Sequence, residues 1–248
     1  MTVTLDRTKR RPGQLFRSAR PDAETGVRMS AAPVLHNLPG LERVALVERF
    51  FVSTLARREV IFDPRDGDEL LYIVISGRVK LSLDSDDGRE RAIGFIGPGE
   101  QFGELSVFDP GPRNVRATAA TDVVVASISS TELRDWLAEH PHALLAMLRA
   151  FARRTKGRTD AVGDLVFRDV PGRVAKLIVV LAERHGLTRG GALWVAHDLS
   201  QDDLADLAAT SRETINKVLA EFAARGWIVV RRKEFVVLDL AAVRRRSR

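Results

Sequence analysis

Apolar positions along the chain change their spacing several times, and each spacing predicts a type of element. Over residues 38–58 they recur at helical intervals, which predicts a first helix. Short runs rich in β-branched residues follow and are separated by Gly, Asp and Pro; they lie at 60–63, 70–76, 78–83, 91–96 and 123–129. Strands this short and regularly spaced predict a β-barrel or sandwich.

A longer helical pattern covers residues 141–167, where apolar residues alternate spacings of four and three. That alternation is the heptad seam of a coiled coil, so it predicts a helix through which two copies of the chain form a homodimer. The seam residues are Leu144, Leu148, Phe151, Thr155, Val162 and Leu165 or Val166. The alternative is a helix that packs only on its own barrel.

The last third of the chain shows shorter helical patterns, at 174–185, 200–208 and 212–225. Two short β runs then follow, at 227–232 and 234–240, with a turn between them. Three helices and a β-hairpin are the plan of a winged helix. Together with the strand-rich first half, this pattern predicts an α+β fold.

Residues 1–33 show no sustained apolar period. We therefore expect a disordered, basic N-terminal arm over residues 1–35. The alternative is that translation begins at Met29.

Composition narrows the function classes. Among the 248 residues there is no cysteine, which excludes disulfides and thiolate metal sites, and no apolar stretch has the length of a membrane span. We expect a cytoplasmic protein with no membrane contact. The net charge of +6 divides into +4 over residues 1–33, −3 over 34–169 and +5 over 170–248. A basic C-terminal third favours a polyanionic partner such as double-stranded DNA.

The segment 199–227 carries the most specific pattern, because it reads as two helices joined by a short turn. Ser200 and Asp203 form a capping box at the start of the first helix, and Ser211 caps the second. The second helix buries one face, made of Ile215, Val218, Leu219 and Phe222, and presents another, made of Arg212, Glu213 and Lys217. Arg and Lys donate to guanine and Glu accepts from cytosine, so this face is suited to reading base edges.

SRETINKVLAEFAARGW, with DVPGRVAKL upstream, resembles the Crp–Fnr family of bacterial regulators, most of all the cyclic-AMP-receptor branch of actinobacteria, over residues 36–245. The resemblance implies a homodimeric transcription regulator that binds a palindromic, GTGA-like DNA site, with RNA polymerase as a further partner. It places DNA contacts at Ser200, Gln201, Ser211, Arg212, Glu213, Thr214 and Lys217. Ala209 departs from the Gly that is usual in the turn.

The run FGELSVFDPGPRN is similar to the phosphate-binding cassette of cyclic-nucleotide-binding domains. The similarity implies that Arg113 holds the cyclic phosphate, Glu104 accepts from the ribose 2′-OH and Gly103 lets the backbone approach. It extends the ligand site to Gly103, Glu104, Leu105, Arg113, Asn114, Arg158 and Thr159. Asn114 and Arg158 differ from the residues that are usual at these positions in the family members that bind cyclic AMP. We expect cyclic AMP as an allosteric ligand; the alternatives are another nucleotide or a vestigial pocket in a regulator that binds DNA without one.

The remaining chemistry is sparse. Five histidines are scattered without metal-ligand spacing, and the sequence contains neither a nucleophile–base pair nor a P-loop. We therefore expect no enzyme activity, no metal and no cofactor. The predicted domains are a β-roll sensor at 36–140, a dimerisation helix at 141–169 and a winged helix-turn-helix at 170–248. A rival from another class is a cyclic-nucleotide-binding module that acts through protein contacts.

Overall fold

The computed structural model describes residues 19–36, 38–64, 69–84 and 90–248, with only the backbone described at residue 154 and at residues 157–162. The chain forms two compact units, and the division falls between Arg153 and Arg154, inside the longest helix. Each unit is described by itself below. Helices and strands are both abundant, so the predicted α+β class is confirmed.

In the described part of the first unit, two helices come first, α1 (Ala23–Met29) and α2 (Gly40–Val47). Strands then dominate: β1 (Phe51–Leu55), β2 (Val60–Phe62), β3 (Leu70–Ser76), β4 (Val79–Asp84), β5 (Glu90–Ile96) and β6 (Gln101–Phe102). The short helix α3 (Leu105–Phe108), the strands β7 (Arg116–Ala119) and β8 (Val123–Ser129) and the helix α4 (Ser130–Glu139) follow. The long helix α5 (Pro141–Phe167) begins in this unit.

Two antiparallel four-stranded sheets form the roll, in the orders β1-β8-β3-β6 and β2-β7-β4-β5. Strand β3 is buried on both faces, which explains why its sequence is a continuous apolar run. Leu71, Ile73 and Ile75 belong to a first core cluster of buried apolar residues, which also contains residues from the helices. Tyr72 and Val74 point the other way, into a second cluster between the sheets.

The predicted disordered arm is wrong for residues 19–35. Met29, Ala32, Val34 and Leu35 are all buried in the first core cluster, and α1 carries a cap in which Asp22 accepts from the Thr25 N–H. The apolar residues that make this segment fold are spread over one short helix and several turns, so they show no period. Residues 1–18 lie outside the described part of the chain.

The single helix predicted at 38–58 is also wrong. Helix α2 ends at Val47, and β1 pairs with β8 in the register Phe51↔Ser127. In β1, Ser53 and Leu55 are buried while Thr54 between them is exposed, which is strand alternation. The apolar residues of α2 and of β1 happen to follow one another at helical spacing, and the sequence pattern therefore predicted a single longer helix.

The second unit contains the end of α5 and eight further described elements. These are α6 (Val170–His185), β9 (Gly186–Arg189), β10 (Ala192–Ala196), α7 (Gln201–Leu207), α8 (Arg212–Ala224), β11 (Ile228–Arg231) and β12 (Glu234–Val237), with α9 (Leu240–Arg246) at the end. The strands form one antiparallel sheet in the order β11-β12-β10-β9. The predicted helices and hairpin are present, and β9, β10 and α9 are additions.

Among the described residues, no helix has both the length and the apolar character needed to cross a membrane.

Candidate ligand pocket and DNA-reading surface

Gly103 lies where β6 turns into α3, and its backbone has a φ of +78°. A Cβ atom at this position would lie 2.7 Å from the Leu70 carbonyl oxygen and 3.0 Å from Nη1 of Arg113. The first distance is shorter than real Cβ contacts, so only glycine fits without displacing β3 or the arginine. Glu104, the next residue, is buried with 4% of its surface exposed.

Arg113 is a buried cation with 6% of its surface exposed. Its Nη1 donates to the Gly103 carbonyl oxygen at 2.9 Å, and its Nη2 donates to the Leu70 carbonyl oxygen at 2.7 Å. The guanidinium carbon lies 4.3 Å from the centre of the Phe62 ring. These contacts fix the plane of the guanidinium beside the glycine turn, and a fixed planar fork can recognise an anion in a bidentate manner.

The predicted ligand residues are only partly brought together. Gly103, Glu104 and Arg113 are joined by the turn and by the arginine's hydrogen bond, Leu105 begins α3, and Asn114 is exposed. Arg158 and Thr159 lie within α5, but only their backbone belongs to the described part of the structure. Sequence reasoning missed Phe62 and Leu70, whose contact with Arg113 depends on pairing between distant strands.

The helix pair α7–α8 is built as the sequence predicted. The Ser200 N–H donates to the Asp203 carboxylate at 2.9 Å, and the Asp203 N–H donates to Ser200 Oγ at 3.1 Å, which completes the capping box. Ser211 caps α8 by accepting from the Thr214 N–H at 3.1 Å. The four apolar residues predicted to face inward are buried: Ile215, Val218, Leu219 and Phe222.

The predicted base readers lie together at the exposed start of α8, and each is in an ion pair. Nη1 of Arg212 lies 3.3 Å from a carboxylate oxygen of Asp202, on α7. Nζ of Lys217 lies 2.7 Å from a carboxylate oxygen of Glu213, one turn away. Of the other predicted DNA contacts, Ser200 and Ser211 are exposed, whereas Gln201 and Thr214 are half-buried.

The turn between α7 and α8 contains Ala209 with a φ of +48°, the conformation that the family's usual glycine adopts freely. Arg173 on α6 holds this turn: its Nε donates to the Ala208 carbonyl oxygen at 2.9 Å, and its Nη2 donates to that of Ala209 at 3.0 Å. Its Nη1 donates to the Arg168 carbonyl oxygen at 2.9 Å. One side chain therefore connects the end of α5 to the helix-turn-helix, a role that the sequence did not reveal.

Ion pairs also fix the junction of α5 and α6. Asp169 caps α6 at the Gly172 N–H and pairs with Arg246 at 2.5 Å, and hydrogen bonds from Arg246 and from that N–H lower the pKa of its carboxyl group. Burial opposes ionisation of Asp164, but its hydrogen bonds with Lys176 and Arg168 outweigh burial, so its pKa is also lowered. Both carboxylates are thus ionised and paired near neutral pH.

The second unit is a winged helix-turn-helix that exposes charged residues at the start of its second motif helix, and this is the architecture of a DNA-binding regulator. The first unit is a β-roll with a buried arginine beside a glycine turn. Residues 52–140 match the cyclic nucleotide-binding domain family, and residues 172–246 match the Crp-like helix-turn-helix domain family.

A curated relative from Mycobacterium tuberculosis, a CRP-like cAMP-activated global transcriptional regulator, is 44% identical over 204 residues, which cover 82% of this chain and 91% of the relative. The chain belongs to the Crp–Fnr family of transcription regulators. It is accordingly a DNA-binding regulator with a cyclic-nucleotide-binding domain, and the prediction that it is not an enzyme is confirmed.

Two solved structures share this architecture. A c-di-GMP responsive global regulator from Xanthomonas campestris has a TM-score of 0.69 at 26% identity, covering 80% of this chain and 99% of that one. A transcriptional regulator of the CRP family from Thermus thermophilus has a TM-score of 0.65 at 26% identity, covering 79% of this chain and 96% of that one.

Proposed function

We propose that this chain is a homodimeric, sequence-specific transcription regulator whose DNA affinity is controlled by cyclic AMP bound in the β-roll. The observation that carries the proposal is the buried guanidinium of Arg113, which two backbone carbonyls and the Phe62 ring hold beside Gly103. A buried cation in a fixed orientation is costly to desolvate, and an anionic ligand compensates for that cost.

A cyclic phosphodiester fits this site because it carries one negative charge shared by two non-bridging oxygens. The guanidinium of Arg113 would donate to the phosphate, and Glu104 would accept from the ribose 2′-OH. The mycobacterial relative, described as cAMP-activated, supports cyclic AMP as the ligand. Arg158 and Thr159 are the proposed purine contacts.

A cyclic dinucleotide is the alternative ligand to test, because a structural neighbour is described as c-di-GMP responsive. Asn114 is exposed and stands where a hydroxyl is usual in cyclic AMP binders. By family resemblance, Arg158 would add a cation at the position of the purine. With these two departures, the alternatives to cyclic AMP are a cyclic dinucleotide and a regulator that binds DNA without a nucleotide.

Homodimer formation is supported by the apolar residues that α5 leaves in contact with solvent. Ala143, Met147 and Ala150 face the roll and are buried. Leu148 lies outside that buried face with 47% of its surface exposed, while Leu165 and Val166 are 52% and 68% exposed near the end of the helix. A second copy of α5 would cover this seam.

The proposed DNA contacts follow from the position of α8. Its first turn presents Arg212 and Glu213, and the next presents Lys217. A two-fold dimer of such units would bind a palindrome whose half-sites lie about 34 Å apart. By family resemblance the half-site is GTGA-like, and RNA polymerase is the expected partner on the bound promoter in the cytoplasm.

Replacing Glu213 by alanine should relax discrimination at one base pair of each half-site by about 1–3 kcal/mol, because the carboxylate no longer accepts from a cytosine. The test first selects a duplex from a random pool with the wild-type protein. Fluorescence anisotropy then measures affinity for every single-base variant of that duplex at fixed salt.

Glu221→Ala is the matched control for Glu213→Ala, since Glu221 lies on the same helix and is likewise exposed and paired, with Arg225 at 2.6 Å. The control should leave the discrimination unchanged. A uniform loss of affinity across all base variants of the duplex in Glu213→Ala would contradict a base-reading role for Glu213.

A further inference from the structure

Two adjacent aspartates at the start of α7 have different partners. Asp203 closes the capping box through the Ser200 N–H and hydroxyl. Asp202 instead reaches across to α8, where its carboxylate oxygen lies 3.3 Å from Nη1 of Arg212. The two side chains of this second pair are 67% and 63% exposed. An ion pair so exposed contributes little to stability, and the interaction of a first-turn carboxylate with the helix N-terminus adds a modest further stabilisation.

The position of Asp202 brings its negative charge close to bound DNA. In a helix-turn-helix, the first helix crosses the phosphate backbone while the start of the second reads the base edges. Asp202 is the second residue of the first helix, and its partner is the first residue of the second. Its carboxylate therefore opposes the phosphates of any duplex, and salt screens this repulsion only in part.

We propose that Asp202 is a specificity-determining residue that penalises non-cognate DNA more than cognate DNA. The proposal rests on the proposed role of Arg212 as a base reader. A guanidinium has five N–H donors in a planar fork, so Arg212 can donate two to guanine and still keep its bond to Asp202. On cognate DNA the pair thus survives and orients the arginine.

On non-cognate DNA the same pair acts against binding. No guanine presents two acceptors to Arg212 there. The side chain is then attracted only by the phosphates, which carry no sequence information. Asp202 competes with those phosphates for the guanidinium and repels them directly. Its removal should therefore increase non-specific affinity more than specific affinity.

The test compares the wild type, Asp202→Asn and the control Glu221→Gln. Both variants remove one negative charge from an exposed ion pair in the same unit, but Glu221 pairs with Arg225 at the far end of α8. Anisotropy measures the affinity of each protein for two labelled duplexes over a series of salt concentrations. One duplex is the sequence that the wild type enriches from a random pool, and the other is a shuffled sequence of equal composition.

We expect Asp202→Asn to bind the shuffled duplex about 5- to 10-fold more tightly than the wild type, and the enriched duplex by a smaller factor. The ratio of the two affinities should fall by about 3-fold or more. Glu221→Gln should keep the wild-type ratio.

An unchanged ratio in Asp202→Asn would overturn the proposal, whether both affinities rise together or neither changes. An equal fall of the ratio in Glu221→Gln would also overturn it, because net charge would then explain the effect. Failure of the wild type to enrich any sequence would be a different result, since it would contradict the proposed DNA recognition itself.

Discussion

Replacing Arg113 by alanine should lower the affinity for cyclic AMP by about 100-fold or more, because charge-assisted hydrogen bonds contribute roughly 1.5–3 kcal/mol each and a bidentate fork makes two. The substitution also leaves the carbonyl oxygens of Gly103 and Leu70 without the donors they have now. Titration calorimetry with cyclic AMP and cyclic GMP measures the loss, and thermal unfolding measures how much stability goes with it.

Arg113→Lys is the control that separates charge from geometry. Lysine keeps the positive charge but lacks the planar fork that reaches the Gly103 and Leu70 carbonyl oxygens together. We expect the affinity of Arg113→Lys for cyclic AMP to lie between those of the wild type and Arg113→Ala. Wild-type affinity in a folded Arg113→Ala protein would exclude the proposed pocket.

Replacing Leu148 by glutamate should dissociate the homodimer and lower affinity for a palindromic duplex by about 100-fold, since each copy would place a carboxylate in an apolar seam and a monomer would reach only one half-site. Leu148 is 47% exposed on one chain, so the substitution should leave the fold of the single chain intact. Sedimentation velocity measures the dimer, and anisotropy measures DNA affinity.

Leu145→Glu is a closely matched control for Leu148→Glu. Leu145 is 49% exposed on the same helix, and it points about 60° away from Leu148 around the helix axis, on the side farther from the buried face. This variant should remain a dimer. A dimer that survives Leu148→Glu would show that α5 does not meet its partner through the proposed seam.

The sequence predicted the elements whose signal is local. Strands β3 and β8 were predicted with the bounds that the structure has, because each is an apolar β-branched run between turn residues. The caps of α7 and α8 were predicted because each cap residue and the N–H from which it accepts lie within four residues of sequence. Strand β1 and the buried Met29 were missed, since their places depend on contacts with β8 and with the core.

The candidate sites were predictable only in part, for a similar reason. Helical period alone put Arg212 and Glu213 on the exposed face of α8, but their surroundings come from other elements. The Asp202 partner of Arg212 lies on another helix, and the Leu70 carbonyl that holds Arg113 is 43 residues away in the chain. Pairings over such distances are set by the tertiary fold and leave no trace in residue spacing.

A nucleotide bound in the β-roll should change the affinity of the winged helix for DNA. The most direct test is anisotropy with the enriched duplex, at one fixed salt concentration, with and without saturating cyclic AMP. A ligand changes DNA affinity only if it binds the DNA-binding conformation and the alternative conformation with different affinities. Allosteric couplings of this kind are about 5- to 150-fold. We predict a rise in DNA affinity within that range for the wild type and none for Arg113→Ala. Equal DNA affinity of the wild type with and without cyclic AMP would contradict allosteric control of DNA binding by this nucleotide.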